Sequence, residues 1–123
     1  GKIKIADFAF GKVLREVEKE SKLNNSHFYM SPQTLSGKPC NVKCDIWSIG
    51  CVFYEALFGQ TPWIGSSAAD IAFNMRTRPL VFRKKIKPET EDLLKRMLEY
   101  DEGKRISWEE IWLHPATNIV INN

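Results

Sequence analysis

The sequence has little of what marks a specialised chain. Among 123 residues there are three cysteines, two histidines, seven glycines and six prolines. Cys40, Cys44 and Cys51 cannot all pair within one chain, no Cys-x-x-Cys spacing occurs, and His27 and His114 lie far from them in sequence. A disulfide framework and a zinc site therefore lack support, and we read the thiols as reduced, in a cytosolic or nuclear protein, with the cytoplasm as the expected location. The low glycine and proline content excludes collagen-like and low-complexity chains. No apolar run is long enough for a membrane span: the longest, Ile46 to Phe58, contains Ser48, Gly50, Tyr54 and Glu55. Charge of one sign is scarce as well. Eighteen Lys and Arg against fifteen Asp and Glu leave +3, too small an excess to imply nucleic acid or a membrane surface as partner.

What is present is the composition of a globular segment, 43% hydrophobic and 27% charged, with length enough for one core. Lys2-Ile3-Lys4-Ile5 alternates polar and apolar residues, the period of a half-buried strand. Because this run starts directly after Gly1, we expect a piece of a longer protein. Residues 11 to 29 carry no apolar period and predict a long polar loop, a kind usually functional or mobile inside a compact domain. Lys43 to Phe58 predicts a helix with Asn41 as N-cap and Gly59 as its stop. Its apolar residues cover almost every face, so it must be buried on all sides at the centre of the fold. Ser66 to Thr77 predicts a second helix, closed by Pro79. Pro88 opens a third, which buries Leu93, Leu94, Met97 and Leu98 and runs to about Tyr100. Ser107 and Glu110 form a capping box that starts a short helix through Leu113, and residues 118 to 123 show no period. Periodicity alone yields a helical piece and no chemistry.

The order of short motifs says more. Ala6-Asp7-Phe8 closes the strand, and the polar loop ends in Tyr29-Met30-Ser31-Pro32-Gln33. Then come Asp45-Ile46-Trp47-Ser48-Ile49-Gly50, Gly59-Gln60-Thr61-Pro62-Trp63, and Asp101-Glu102-Gly103-Lys104-Arg105-Ile106 before His114-Pro115. In this order and spacing they resemble the C-terminal lobe of a eukaryotic serine/threonine protein kinase from the DFG motif onward. The wording is nearest the Unc-51-like, autophagy-initiating branch. The resemblance implies a mainly α chain, part of an α+β parent fold, with one short strand, a long activation loop and four or five helices. It implies a partial kinase domain over residues 1–116 and a tail over 117–123.

The resemblance also implies roles. Asp7 matches the DFG aspartate, which holds the magnesium ions bridging the ATP phosphates, and Phe8 matches the packing residue beside it. A carboxylate suits a hard cation. Residues 11 to 29 match the activation loop, with Ser21 and Ser26 as candidate phosphoacceptors. Ser26 and Tyr29 match the loop that meets the protein substrate beside its Ser or Thr acceptor. Asp45 matches the aspartate that accepts hydrogen bonds from amides of the catalytic loop. We expect it buried in that role, since a carboxylate among apolar residues needs such donors, rather than merely facing a helix dipole. Gln33 stands where the APE glutamate would be and Arg105 where its arginine partner would be, a structural pair.

Departures from the pattern bear on activity. Ala9 replaces the DFG glycine, and Gln33 can hydrogen-bond Arg105 without forming a bidentate ion pair. These residues contain no glycine-rich loop, no strand lysine with its helix glutamate and no HRD catalytic loop. Phosphoryl transfer rests on positioning and charge stabilisation, so we expect no catalytic residue and no kinase activity from this chain alone, with the upstream lobe as its missing partner. We also expect the Ile46–Phe58 helix to leave an apolar face exposed where that lobe would cover it. A kinase portion is the leading reading, and a pseudokinase or truncated binding module is the alternative, favoured by Ala9, Gln33 and the missing loop. Arg76, Arg78, Arg83, Lys84, Lys85 and Lys87 form a basic stretch, read first as a solvated loop and second as a docking surface for an acidic partner. Trp63, Trp108 and Trp112 read as packing residues.

Overall fold

A computed structural model describes residues 26–39 and 41–117 of the chain. The expected strand, most of the long loop including Asp7, Phe8, Ala9 and Ser21, and residues 118–123 lie outside these. Five α-helices follow a short 3-10 helix, Ser26–Tyr29: α1 (Pro32–Leu35), α2 (Val42–Phe58), α3 (Ala68–Thr77), α4 (Pro88–Met97) and α5 (Trp108–Leu113). The described chain is helical, as the pattern predicts. The 3-10 turn and α1 are the exceptions, since both fall in stretches expected to be loop or turn. They are too short to show a period. Local capping explains α1: Pro32 takes the first helical position, and the Ser31 hydroxyl accepts from Thr34 N at 3.1 Å.

The longer helices start and stop for legible reasons. The Asn41 side chain accepts from Lys43 N at 2.7 Å, and Gly59 closes α2 at φ 85°, a left-handed conformation that glycine adopts without a Cβ penalty. Ser67 caps α3 through Asp70 N. Helix α4 ends at Met97 rather than near Tyr100, with Leu98 as its C-cap. The reciprocal capping box of α5 is formed: Ser107 N donates to Glu110 Oε1 at 3.1 Å, and Glu110 N donates to Ser107 Oγ at 3.2 Å.

Helix α2 is the axis of the molecule. Two clusters of buried side chains share it. On one side Trp47, Cys51 and Tyr54 meet Tyr29, Trp63, Ile71, Met75, Leu94 and Leu98. On the other, Ile46 and Ile49 meet Leu93, Met97, Ile106 and Ile111. Burying a large apolar side chain contributes roughly 1.5–3 kcal/mol. The parallel stack of Trp47 on Trp63, with centroids 5.4 Å apart, adds about 0.5–1.5 kcal/mol. Buried Trp63 and half-buried Trp108 therefore serve packing, while Trp112 is half-buried. The exposed face expected of α2 does not appear: Val52, Phe53, Leu57 and Phe58 are half-buried, and Ala56 is the only exposed apolar residue of the Ile46–Phe58 run. The aromatic side chains of the α3–α4 connection explain part of this, since Phe82 lies 6.1 Å from Phe58 and 6.4 Å from Tyr54.

Helix α2 and the end of α4 come close at Gly50. A Cβ there would meet Leu98 Cδ2 at 3.0 Å and Met97 Cβ at 3.1 Å. Leu98 could swing its side chain, but Met97 Cβ is fixed to the backbone at the end of α4. Gly50→Ala is expected to lower stability by about 1–3 kcal/mol despite alanine's better helix propensity, as measured by urea denaturation.

Two carboxylates give the fold an acid limit. Asp92 is held below the ordinary carboxylate range by hydrogen bonds from His114 and then Arg96, and Glu110 by those from Ser107. His114 Nδ1 accepts from Ala116 N at 3.1 Å, so the proton on Nε2 is the one donated to Asp92 at 2.7 Å. A depressed folded-state pKa means stability present above the unfolded value, about 4, and lost as the pH falls through the folded one. Thermal melts between pH 5 and about 2 are expected to show a smaller acid loss in Asp92→Asn with Glu110→Gln than in the unaltered chain.

Candidate functional site

Residues 26 to 38 form a bent segment that three sets of contacts hold against α2 and the turn after α4. The first is at Tyr29, where the hydroxyl donates to Glu55 Oε1 at 2.5 Å and the carbonyl accepts from Ser48 Oγ at 2.6 Å. Tyr29 is buried, so its ring and both polar groups are committed to the fold. The second is a small polar knot: the Ser31 and Thr34 hydroxyls donate to Cys44 Sγ at 3.2 and 3.3 Å. Cys44 and Cys51 are both buried free thiols, and burial pushes the Cys51 thiol far above its ordinary range, so it stays an unreactive packing group.

The third is Arg105, 1% exposed. Its Nη2 donates to Gln33 Oε1 at 2.9 Å and Tyr100 O at 3.2 Å, its Nη1 to Lys43 O at 2.9 Å, and its Nε to Glu99 O at 2.8 Å. Its guanidinium carbon also lies 4.9 Å from the centre of the Trp47 ring. Four of the five N–H donors of a guanidinium are thus satisfied, and every acceptor is neutral. Desolvation pushes the Arg105 pKa down from its ordinary value, yet an arginine keeps its proton. Several charge-assisted hydrogen bonds, each worth about 1.5–3 kcal/mol, offset a desolvation cost of several kcal/mol. Gln33 is bifunctional here, because its Nε2 also donates to Tyr100 O at 2.8 Å. A glutamate in its place would face Arg105 with a charge but set an acceptor against that carbonyl.

Sequence reasoning pairs Gln33 with Arg105, and the two side chains touch. Ser26 begins the 3-10 helix four residues long that ends at Tyr29. Asp45 lies in the first turn of α2 and is exposed, not buried. These 123 residues contain no HRD loop whose amides could cover it, so here the carboxylate faces solvent beside the positive end of the helix dipole. Among the described residues no group of three or more His, Cys, Asp or Glu could hold a metal ion, and Asp7 lies outside them.

The residues that sequence reasoning missed are the anchors. Glu55 is the one acid in the apolar Ile46–Phe58 run, which already demanded a donor; that donor is Tyr29. Lys43 gave no such signal. Its Nζ donates to Glu102 O at 3.2 Å and to Arg105 O, while its own carbonyl receives Arg105, a reciprocal strap between α2 and the turn after α4.

A short segment pinned to a buried central helix by a buried arginine is scaffolding for a loop that must keep its shape. Comparison with known proteins identifies that scaffold. The family profile described as "Protein kinase domain" matches residues 1–116. Serine/threonine-protein kinase ULK3 of Mus musculus is 32% identical over 120 residues, covering 95% of this chain and 25% of that protein. Serine/threonine-protein kinase atg1 of Dictyostelium discoideum is 31% identical over 98% of this chain and 18% of its own length. Calcium-dependent protein kinase 3 of Plasmodium yoelii yoelii is 37% identical over 92% of this chain and 22% of its own. The chain belongs to the protein kinase domain family. It spans about a quarter or less of the length of these relatives.

Removing Arg105 would take the guanidinium from Gln33 Oε1, Lys43 O and Glu99 O, all on half-buried residues, while Tyr100 O would keep its bond from Gln33 Nε2. Arg105→Ala is expected to cost about 3–5 kcal/mol and Gln33→Ala about 1–2 kcal/mol in chemical denaturation. The double variant should fall short of their sum by about 1 kcal/mol, the sign of direct coupling.

Proposed function

We propose that the parent of this chain transfers the γ-phosphate of ATP to serine or threonine hydroxyls of protein substrates, and that residues 1–116 are the later part of its kinase domain, with 117–123 as a tail. The observation that carries this reading is the pinned segment from Ser26 to Lys38. Its end is fixed by Gln33 and Arg105, while exposed His27 and half-buried Phe28 stand at its turn. A substrate-facing loop needs that stiffness, because catalysis by positioning is lost when the acceptor is misplaced.

In the parent, Asp7 would hold magnesium on the ATP phosphates with Phe8 packed beside it, and the loop beginning at Ser26 would meet the substrate, with buried Tyr29 anchoring it from behind. Exposed Asp45 would accept hydrogen bonds from a catalytic loop supplied by the upstream lobe, which these residues do not contain. Arg105 and Gln33 act on structure alone. We place the protein in the cytoplasm, a reading supported by its buried reduced thiols. Among the described residues no helix is long and apolar enough to cross a membrane.

The 123-residue chain alone is expected to transfer no phosphate from radiolabelled ATP to a general protein substrate in the presence of magnesium. Expressed together with an upstream kinase lobe bearing the HRD loop, it should gain that activity, and Asp7→Asn should remove it by at least about a hundredfold while leaving the melting temperature unchanged. Phosphotransfer by the chain alone, or full activity in Asp7→Asn, would overturn the proposal. A folded joined protein with no activity would favour a binding module.

A further inference from the structure

Six large apolar side chains remain exposed among the described residues, and Ile64, Phe73 and Val81 are three of them. Ile64 and Val81 line a cavity of about 430 Å³ together with Trp63, Pro79, Arg78 and Arg83. Phe73 adjoins Asn74, which also lines it. Internal bonds hold the walls: Tyr54 donates to the Val81 carbonyl, Trp63 Nε1 to the Arg78 carbonyl at 3.2 Å, and Asn74 Nδ2 to the Ile64 carbonyl at 2.7 Å. The cavity is open to solvent on one side, and apolar and polar groups share its lining about equally.

Its rim is cationic and not neutralised. No acid occurs between Asp70 and Glu89, and the six cations between them are all exposed. The ion pairs of the described residues join Lys95 to Glu91 and Arg96 to Asp92; none reaches this stretch. The two wall arginines are held by neutral amides. Arg78 Nε donates to Asn74 Oδ1 at 3.1 Å, and the Arg83 guanidinium lies against the Gln60 carboxamide, whose oxygen accepts from Nε and Nη2 in the amide orientation that satisfies both groups. An amide fixes the guanidinium without cancelling its charge, so the plane is set while carboxylate-matching donors are kept.

We propose that this basic-rimmed cavity docks an acidic segment of a partner protein, one bulky apolar side chain entering beside Trp63 while flanking carboxylates meet Arg78 and Arg83. A concavity with Trp63, Ile64 and Val81 in its walls separates this from the solvated loop that charge alone suggests. A lipid surface has nothing to fill a concavity, and nucleic acid would need an open stacking face, whereas Trp63 is buried against Trp47. The proposal is independent of phosphoryl transfer.

The probe is a synthetic pool of fluorescent peptides with glutamate flanks around a varied pair of apolar residues, titrated against the full chain by anisotropy. Members with Leu or Phe at the centre are expected to bind. Arg78→Glu with Arg83→Glu should weaken them at least about tenfold, Val81→Asp comparably, and added salt should weaken them too. All three positions are exposed, so the melting temperature should hold. No binding by any member, equal binding of a centre lacking apolar residues, or binding unaltered in both variants would overturn the proposal. So would stronger capture of phosphatidylserine vesicles or of duplex RNA than of the peptides.

Discussion

A positive charge with no counter-ion sits near the middle of this molecule. Arg105 is buried, and its stability there depends on carbonyl groups arriving from the start of α2, the end of α4 and the bent segment. None of these alone could hold a desolvated guanidinium. Together they must be placed correctly, so the arginine works as a condition on the fold: the 26–38 segment, α2 and the turn after α4 are right together or wrong together. The Trp47 ring beneath the guanidinium extends that condition into the apolar core.

The same logic explains why a polar segment with almost no helical signal holds a defined shape. Residues 26 to 38 lack an apolar stripe. Their order comes from polar groups spent on α2, namely Tyr29 on Glu55 and Ser48, and Ser31 and Thr34 on Cys44. Each bond is modest, about 1 kcal/mol net, but each also satisfies a group that would be costly to leave unmatched.

Much of the fold was legible in the residues. Asn41 and Gly59 bound α2, Ser107 and Glu110 announce the capping box, and the apolar periodicity of α4 names its buried face. The Gln33–Arg105 contact was legible through order of motifs, since nothing local in either residue points to a partner so far away. Asp45 was misjudged as buried because its neighbours are apolar; burial depends on what covers a residue, and these residues do not supply it. The cavity beside Trp63 was illegible for a different reason. Its walls come from three stretches, Pro62–Ile64, Asn74–Pro79 and Val81–Arg83, and concavity has no sequence period.

Three of the four acceptors around Arg105 are backbone carbonyls, from Lys43, Glu99 and Tyr100. A carbonyl is present whatever side chain its residue carries. The cage is therefore written in chain path rather than in residue identity, and a lineage can replace those three residues while keeping the cage, provided no insertion shifts the turn. Only positions 105 and 33 carry chemistry of their own there, and position 33 needs no more than an acceptor aimed the right way. Such a centre leaves the side chains of the surrounding surface free to vary without disturbing the arginine at its heart.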